Sequence, residues 1–160
     1  MIRVAGYVKL AKLWEKNRDE SIKFHTDYFN ERYKNSTDHE LVGVFVDITG
    51  EKSIAKRPEM IRLLSKCKAG QVDLVDTQTK AYLAANTEEF CFLIGYLFHL
   101  KNNVDIITED PDYRINTLLN VENQRAELLK MSEKYIDLYQ ENYQKWEQTV
   151  NKKILKLQEE

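Results

Sequence analysis

The chain has 160 residues, 42% of them hydrophobic and 31% charged, which is enough apolar material for one domain with a sizeable core. A net charge of -2 and a pI near 6.0 exclude a dedicated basic nucleic-acid module, so any nucleic-acid contact must be local. No apolar run approaches the roughly 18 residues that span a bilayer, and no signal-peptide h-region is seen, so a cytoplasmic protein with no membrane partner is expected.

Arg3 to Ala11 is a short, nearly continuous apolar run bounded by polar residues, and it reads as a strand buried on both faces over about residues 2 to 9. In open sheets flanked by helices, chemistry collects beyond the carboxyl ends of such strands, where Lys9 and Ala11 stand. A helical pattern follows from about Asp19 to Tyr33, with Ile22, His25, Thr26, Phe29 and Tyr33 along one face; His25 there reads as a satisfied core or rim histidine. Leu41 to Ile48 is a second strand with Asp47 near its carboxyl end.

Arg57-Pro58-Glu59 opens a helix, because proline suits the first turn and an acid complements the helix dipole. Ile61, Leu64 and Cys67 continue it and Gly70 ends it. Gln71 to Asp76 is a short third strand. After a loop from Thr77 to Asn86, Thr87-Glu88-Glu89 has the composition of an N-cap and first turn for an apolar helix over Phe90 to Leu100, and Val104 to Thr108 is a fourth strand. Strands alternating with helices predict a three-layer α/β sandwich with a mostly parallel sheet of four to five strands. Cys67 and Cys91 fall in apolar helical patterns and read as buried free thiols in a reducing compartment.

Beyond Pro111 there is no further Pro or Gly. Tyr135, Tyr139, Tyr143, Trp146, Val150, Ile154 and Leu157 are spaced 4, 4, 3, 4, 4 and 3, one stripe down one helix. A helix of about 45 residues would be about 70 Å long, more than this domain can cover, so the distal half is expected to pack on another chain or on a further domain; a frayed solvated tail is the plainer alternative. The organisation expected is an α/β domain over residues 1–112 and a long oligomerisation helix over 113–160.

The ordered pieces Tyr7-x-Lys9-x-Ala11, Asp47, Arg57-Pro58-x-x-x-x-Leu63-Leu64, Gly70-x-x-Asp73-Leu74-Val75 and Asn86-Thr87, followed by a long helix, resemble the catalytic domain of the serine recombinases: resolvases, invertases and large serine integrases. In that family the first strand ends in Tyr-x-Arg-x-Ser, whose serine attacks a DNA phosphodiester, and an Asp-Arg-Leu-x-Arg loop holds the scissile phosphate. The resemblance puts the serine at Ala11, the first arginine at Lys9, the loop aspartate at Ala81 and the loop arginines at Tyr82 and Ala85. Asp47 and Arg57 match the pattern, and the Glu-Arg pair of the long helix falls on Gln124 and Arg125.

Alanine cannot form a phosphoserine-type intermediate, and phosphate-holding arginines are worth of order a hundred- to a thousandfold each in rate. Lys9 keeps a charge without the bidentate fork. The resemblance therefore implies a pseudoenzyme of DNA recombination, of the kind carried by mobile elements, with Lys9, Asp47, Arg57 and Arg125 as a phosphate- or DNA-binding remnant. Its implied partners are DNA, held weakly, a second copy through the long helix, and an active recombinase.

For Asp47 and Arg57 two readings stand level, a residual phosphate pocket and a salt bridge holding the loop. Lys12, Thr79 and Lys80 are the residues from which a relocated active site could be built, although nothing in the sequence sets a base beside a hydroxyl. The acidic pI favours a further alternative, an α/β interaction domain with no DNA role. No Gly-rich phosphate loop is present, and His25, His39 and His99 are too scattered for a metal site, so neither cofactor nor metal is expected. Glu88-Glu89 and Glu159-Glu160 read as solvated helix turns, and Lys152, Lys153 and Lys156 as a solvated face or phosphate contacts.

Overall fold

The computed structural model describes residues 1–118 and 124–159. Its centre is β1 (Ile2–Leu10), whose residues from Val4 to Val8 are all buried. Four parallel strands stand in the order β2-β1-β3-β4, with β2 at His39–Ile48, β3 at Leu74–Thr77 and β4 at Asp105–Ile107. The pairing of β1 with β2 slips by one residue between Val4 and Ala5, after which Lys9 stands opposite Asp47.

The two faces of β1 are coded by alternate residues. Gly6 and Val8 face α1 (Arg18–Tyr33), where Phe29 is fully buried; Ala5 and Tyr7 face α2 (Pro58–Lys68) and α4 (Thr87–Phe98). A methyl group at Gly6 would meet the Phe29 ring at 2.7 Å, so the absence of a side chain sets how closely α1 approaches the sheet. Gly6→Ala is expected to cost about 2 kcal/mol in urea unfolding. In a Phe29→Leu background the same change should cost less, because the smaller side chain can withdraw.

Local signals place the other helices. Pro58 occupies the first turn of α2, and Gly70, at φ 75°, ends the helix with its N–H donating to Cys67 O while Gln71 N–H donates to Lys66 O. Asn86 caps α4 by accepting from Glu89 N–H at 2.9 Å, so the cap lies one residue before Thr87. A short helix, α3 (Lys80–Leu83), breaks the loop expected over Thr77 to Asn86. Beyond β4 the chain returns along its edge, with Asn116 bridging antiparallel to Ile107, and so covers backbone groups that would otherwise be open.

The carboxy-terminal helix takes a different form from the single rod read in the sequence. Residues 113–118 are not helical, residues 119–123 of the expected helix lie outside the described residues, and the rest forms two helices, α5 (Gln124–Leu138) and α6 (Gln140–Gln158). The break is at Tyr139, with φ -128° and ψ 45°, and there is no Gly or Pro there to cause it. The cause is tertiary. By turning, α6 lays Trp146, Val150 and Ile154 on the chain's own core beside α2 and α4, where all three are buried. The stripe expected to need another chain is largely covered by its own domain.

Glu89 is corrected with it. Instead of facing solvent it is buried and accepts from Trp146 Nε1 at 2.8 Å. Asn151 of α6 likewise accepts from Tyr96 at 2.8 Å, and Lys153 donates to Ala55 O, so it is tied to the fold rather than standing free on a solvated face. No helix among the described residues is long and apolar enough to cross a membrane.

Candidate active-site remnant

The carboxyl ends of β1 and β2 bring Tyr7, Lys9, Ala11 and Asp47 to one edge of the sheet. Asp47 is buried and takes three hydrogen bonds: from Tyr7 OH at 2.7 Å, from Glu59 N–H at 2.9 Å and from Met60 N–H at 2.9 Å. The last two are free donors of the first turn of α2, so a carboxylate from a strand end closes the helix amino terminus. Burial, and then the Asp47 charge, push the Tyr7 phenol far above its ordinary pKa, so it stays protonated and donates to Asp47.

Arg57 is 0% exposed. Its Nη1 donates to Tyr82 O at 2.8 Å and Leu83 O at 2.9 Å, its Nη2 to Lys52 O at 3.1 Å, and its Nε to Glu51 O at 3.4 Å. The guanidinium therefore joins the loop after β2 to α3. It makes no ion pair with Asp47: of the two level readings, the salt bridge is not formed, and the phosphate pocket would require Arg57 to leave four carbonyls.

Ala11 is exposed and extended, with φ -64° and ψ 152°, at the start of a 3-10 turn over Lys12–Asn17, and presents only a methyl group. Lys9 is half-buried; burial, followed by the nearby Arg57 charge, lowers its pKa against the opposing pull of Asp47. Arg125 lies away from this edge, donating to Val104 O at 3.0 Å and Asp105 at 2.9 Å with its guanidinium carbon 4.0 Å from the Phe98 ring centroid. Gln124 is buried and bridges Arg114 O and Asn116 N–H.

Ala81 and Ala85 are exposed and line a cavity of about 540 Å³ together with Thr79, Lys80 and Asp110. Here the structure supplies what the sequence did not show, a carboxylate beside a hydroxyl. Thr79 Oγ1 donates to Asp110 at 2.7 Å, and Asp110 also accepts from Lys80 N–H at 2.8 Å. Burial would raise the Asp110 pKa, but these hydrogen bonds outweigh it and the net shift is downward, which makes Asp110 a weak base. The Lys80 ammonium lies 5.9 Å from the Phe90 ring centroid and 5.8 Å from that of Tyr113.

Two features at this end of the sheet carry no clear signal in the sequence. One is a polar cluster on the α1 side: buried Asp76 accepts from Tyr33 OH and pairs with Arg32 at 2.9 Å, while Arg32 pairs with Glu109 at 2.6 Å. Burial raises the Asp76 pKa against the pull of Tyr33 and Arg32. Its hint in the sequence is an acid at the end of β3, in the same place as Asp47 at the end of β2. The other is a second cavity, lined by Trp14, His25 and Tyr82 among others. No group of three or more His, Cys, Asp or Glu placed to hold a metal ion occurs among the described residues.

No protein-family model matches the chain, and no curated protein sequence matches it either. Solved structures do. The N-terminal catalytic domain of TP901-1 integrase superposes with a TM-score of 0.61 at 18% identity, covering 87% of this chain and 97% of that domain. A resolvase family site-specific recombinase from Streptococcus pneumoniae gives 0.55 at 17% identity, covering 99% of both chains. At these identities the likeness speaks for architecture, and it agrees with the parallel sheet and helix order described above. The chain has the fold of the serine recombinase catalytic domains.

Proposed function

We propose that this chain is a serine-recombinase-like domain of site-specific DNA recombination that does not cleave DNA itself and acts by associating with DNA, with a second copy or with an active recombinase. The observation that carries this reading is Ala11, exposed at the strand end where the resemblance puts the nucleophile. The surroundings support it. Arg57 is committed to four carbonyls, and Ala81, Tyr82 and Ala85 offer no guanidinium to a phosphate. Lys9 is the cation of the proposed remnant that stays at the edge, half-exposed.

In this proposal residues 1–112 form the α/β unit and 113–160 the assembly segment. Because α6 is docked on its own domain, the assembly surface is drawn from the apolar side chains of this segment left outside, Met131, Leu138 and Tyr139 around the helix break and Leu155 on α6, with Tyr113 and Leu118 before α5.

The test is incubation with supercoiled plasmid followed by denaturing electrophoresis for a covalent protein–DNA species. None is expected from the natural chain, nor from Ala11→Ser alone, because the phosphate-holding arginines are missing too. An adduct formed by the natural chain would overturn the proposal; one formed only by Ala11→Ser would show that the missing arginines are dispensable.

A second reading, an active recombinase with a relocated nucleophile, is favoured by the Thr79–Asp110 contact alone. It predicts an adduct that Thr79→Ala abolishes. A third, an interaction domain without a DNA role, is favoured by the net charge of -2. It predicts no retention on DNA at low salt, alone or with a partner recombinase.

A further inference from the structure

Two cations that the motif positions offer to a phosphate are engaged elsewhere in the fold, Arg57 with four carbonyls and Arg125 with Val104 O, Asp105 and the Phe98 ring. A different set has come together. Where the last turns of α6 lie against the loop after β2 and the first turn of α2, Lys56, Lys153 and Lys156 line one cavity of about 240 Å³. That is smaller than the roughly 300–1,000 Å³ of sites for organic ligands. Its other walls are apolar, from Ala55, Pro58, Ile61 and Leu157.

Three ammonium groups around one apolar cavity repel each other, and no carboxylate among the described residues lies within ion-pair distance of any of them. Apolar walls lower the local dielectric, which strengthens both that repulsion and the attraction for an anion. Lys153 donates to Ala55 O, which uses one of its three N–H groups and leaves two. Lys56 and Lys156 are exposed, and their side chains make no hydrogen bond among the described residues. The amino terminus of α2 adds nothing, because Pro58 has no N–H and those of Glu59 and Met60 are taken by Asp47. The positive charge here belongs to the lysines alone.

The charge continues past the cavity. Lys145, Lys152 and Lys156 follow one another at seven and four residues, a row on one flank of α6 about 16 Å long. Lys145 and Lys152 are exposed and likewise lack an acidic partner, while Glu147 stands on the opposite flank and accepts from Tyr143 OH. Glu141 and Glu159 lie beyond the two ends of the row. Such a row matches an extended polyanion better than a single small ion.

We infer that Lys56, Lys153 and Lys156 hold a phosphodiester of duplex DNA, with Lys152 and Lys145 on neighbouring phosphates, in a site that exists only because α6 folds back against the loop after β2. The inference rests on the DNA association proposed above and gives it residues outside the motif positions. Lysines meet phosphates as point charges without reading bases, so binding is independent of sequence and steeply dependent on salt. A chain with a net charge of -2 thereby meets DNA through one local face.

The test is fluorescence anisotropy of a labelled duplex of about 30 base pairs, titrated with the full chain at about 50 to 200 mM sodium chloride. Lys56→Gln combined with Lys156→Gln is expected to weaken binding about ten- to hundredfold at the lower salt and to reduce the slope of log affinity against log salt by about 2. Lys101→Gln combined with Lys134→Gln removes the same charge at two exposed lysines outside the cavity and should change both quantities far less. Melting followed by circular dichroism should be alike for all three chains, since none of these four side chains is hydrogen-bonded among the described residues.

Equal weakening by the two pairs, or binding lost with Lys9→Gln and kept with the cavity pair, would overturn the site and leave the association with DNA standing. Absence of duplex binding at the lower salt would overturn the site and the DNA reading together. Polyglutamate that displaces the duplex at an equal or lower concentration of charge would make an acidic protein the occupant and overturn DNA.

Discussion

Replacing Arg57 by alanine is expected to lower the free energy of unfolding by about 3–5 kcal/mol, since it opens a cavity and strips four carbonyl groups of their donor. For a domain of this size that is roughly 10 °C in melting temperature. The guanidinium is fully buried and the buried Leu83 carbonyl would be left without a donor, whereas the carbonyls of the exposed Glu51 and Lys52 can turn to water, which keeps the loss from being larger. Arg57→Lys should recover only part of the loss, because one ammonium cannot reach Tyr82 O, Leu83 O, Glu51 O and Lys52 O together. Urea unfolding followed by circular dichroism measures both. A phosphate-binding arginine would behave in the opposite way, with DNA retention lost and stability changed by less than about 1 kcal/mol, as surface changes usually are. That outcome would restore the phosphate-pocket reading of Arg57.

Trp146→Ala is the second large effect, expected at about 3–5 kcal/mol. The indole packs at 5.8 Å from both the Phe92 and Tyr96 ring centroids and 5.9 Å from that of Tyr143, and it is the donor that keeps the buried Glu89 carboxylate satisfied. Trp146→Phe retains most of the packing and loses the N–H, so it should cost about 1–3 kcal/mol. Light scattering on the same variants separates stability from assembly. If α6 is held by its own domain, both variants lose stability while the folded fraction keeps its molecular mass. A fall in mass with stability unchanged would mean that the stripe faces another chain. Truncation after about Lys130 is then expected to expose the apolar face of α2 and α4 and cause aggregation rather than a smaller, well-behaved species.

Much of the architecture was legible in short-range patterns. The continuous apolar run of β1, Pro58 at a helix start and Gly70 at its end each act within one turn or one strand, where sequence neighbours are also spatial neighbours. The helix break at Tyr139 was not legible. The spacing of the stripe is the same on both sides of it, and the energy that breaks the helix comes from burying Trp146, Val150 and Ile154 on elements tens of residues away. Tertiary burial overrides helix propensity there.

The candidate site divides in the same way. Residue identity alone determined that Ala11, where the resemblance puts the nucleophile, carries no hydroxyl and that Ala81, Tyr82 and Ala85, where it puts the loop aspartate and arginines, carry no guanidinium, because chemistry absent from a side chain cannot be restored by folding. Only the tertiary structure decided what the matching residues do. Asp47 caps α2, Arg57 ties the loop after β2 to α3 and Arg125 stacks on Phe98, since a contact depends on which groups converge in space and not on the motif that contains them. The same convergence left the buried His25 Nδ1 unpaired and brought Lys56 to one cavity with Lys153 and Lys156, a grouping that no spacing in the chain announces.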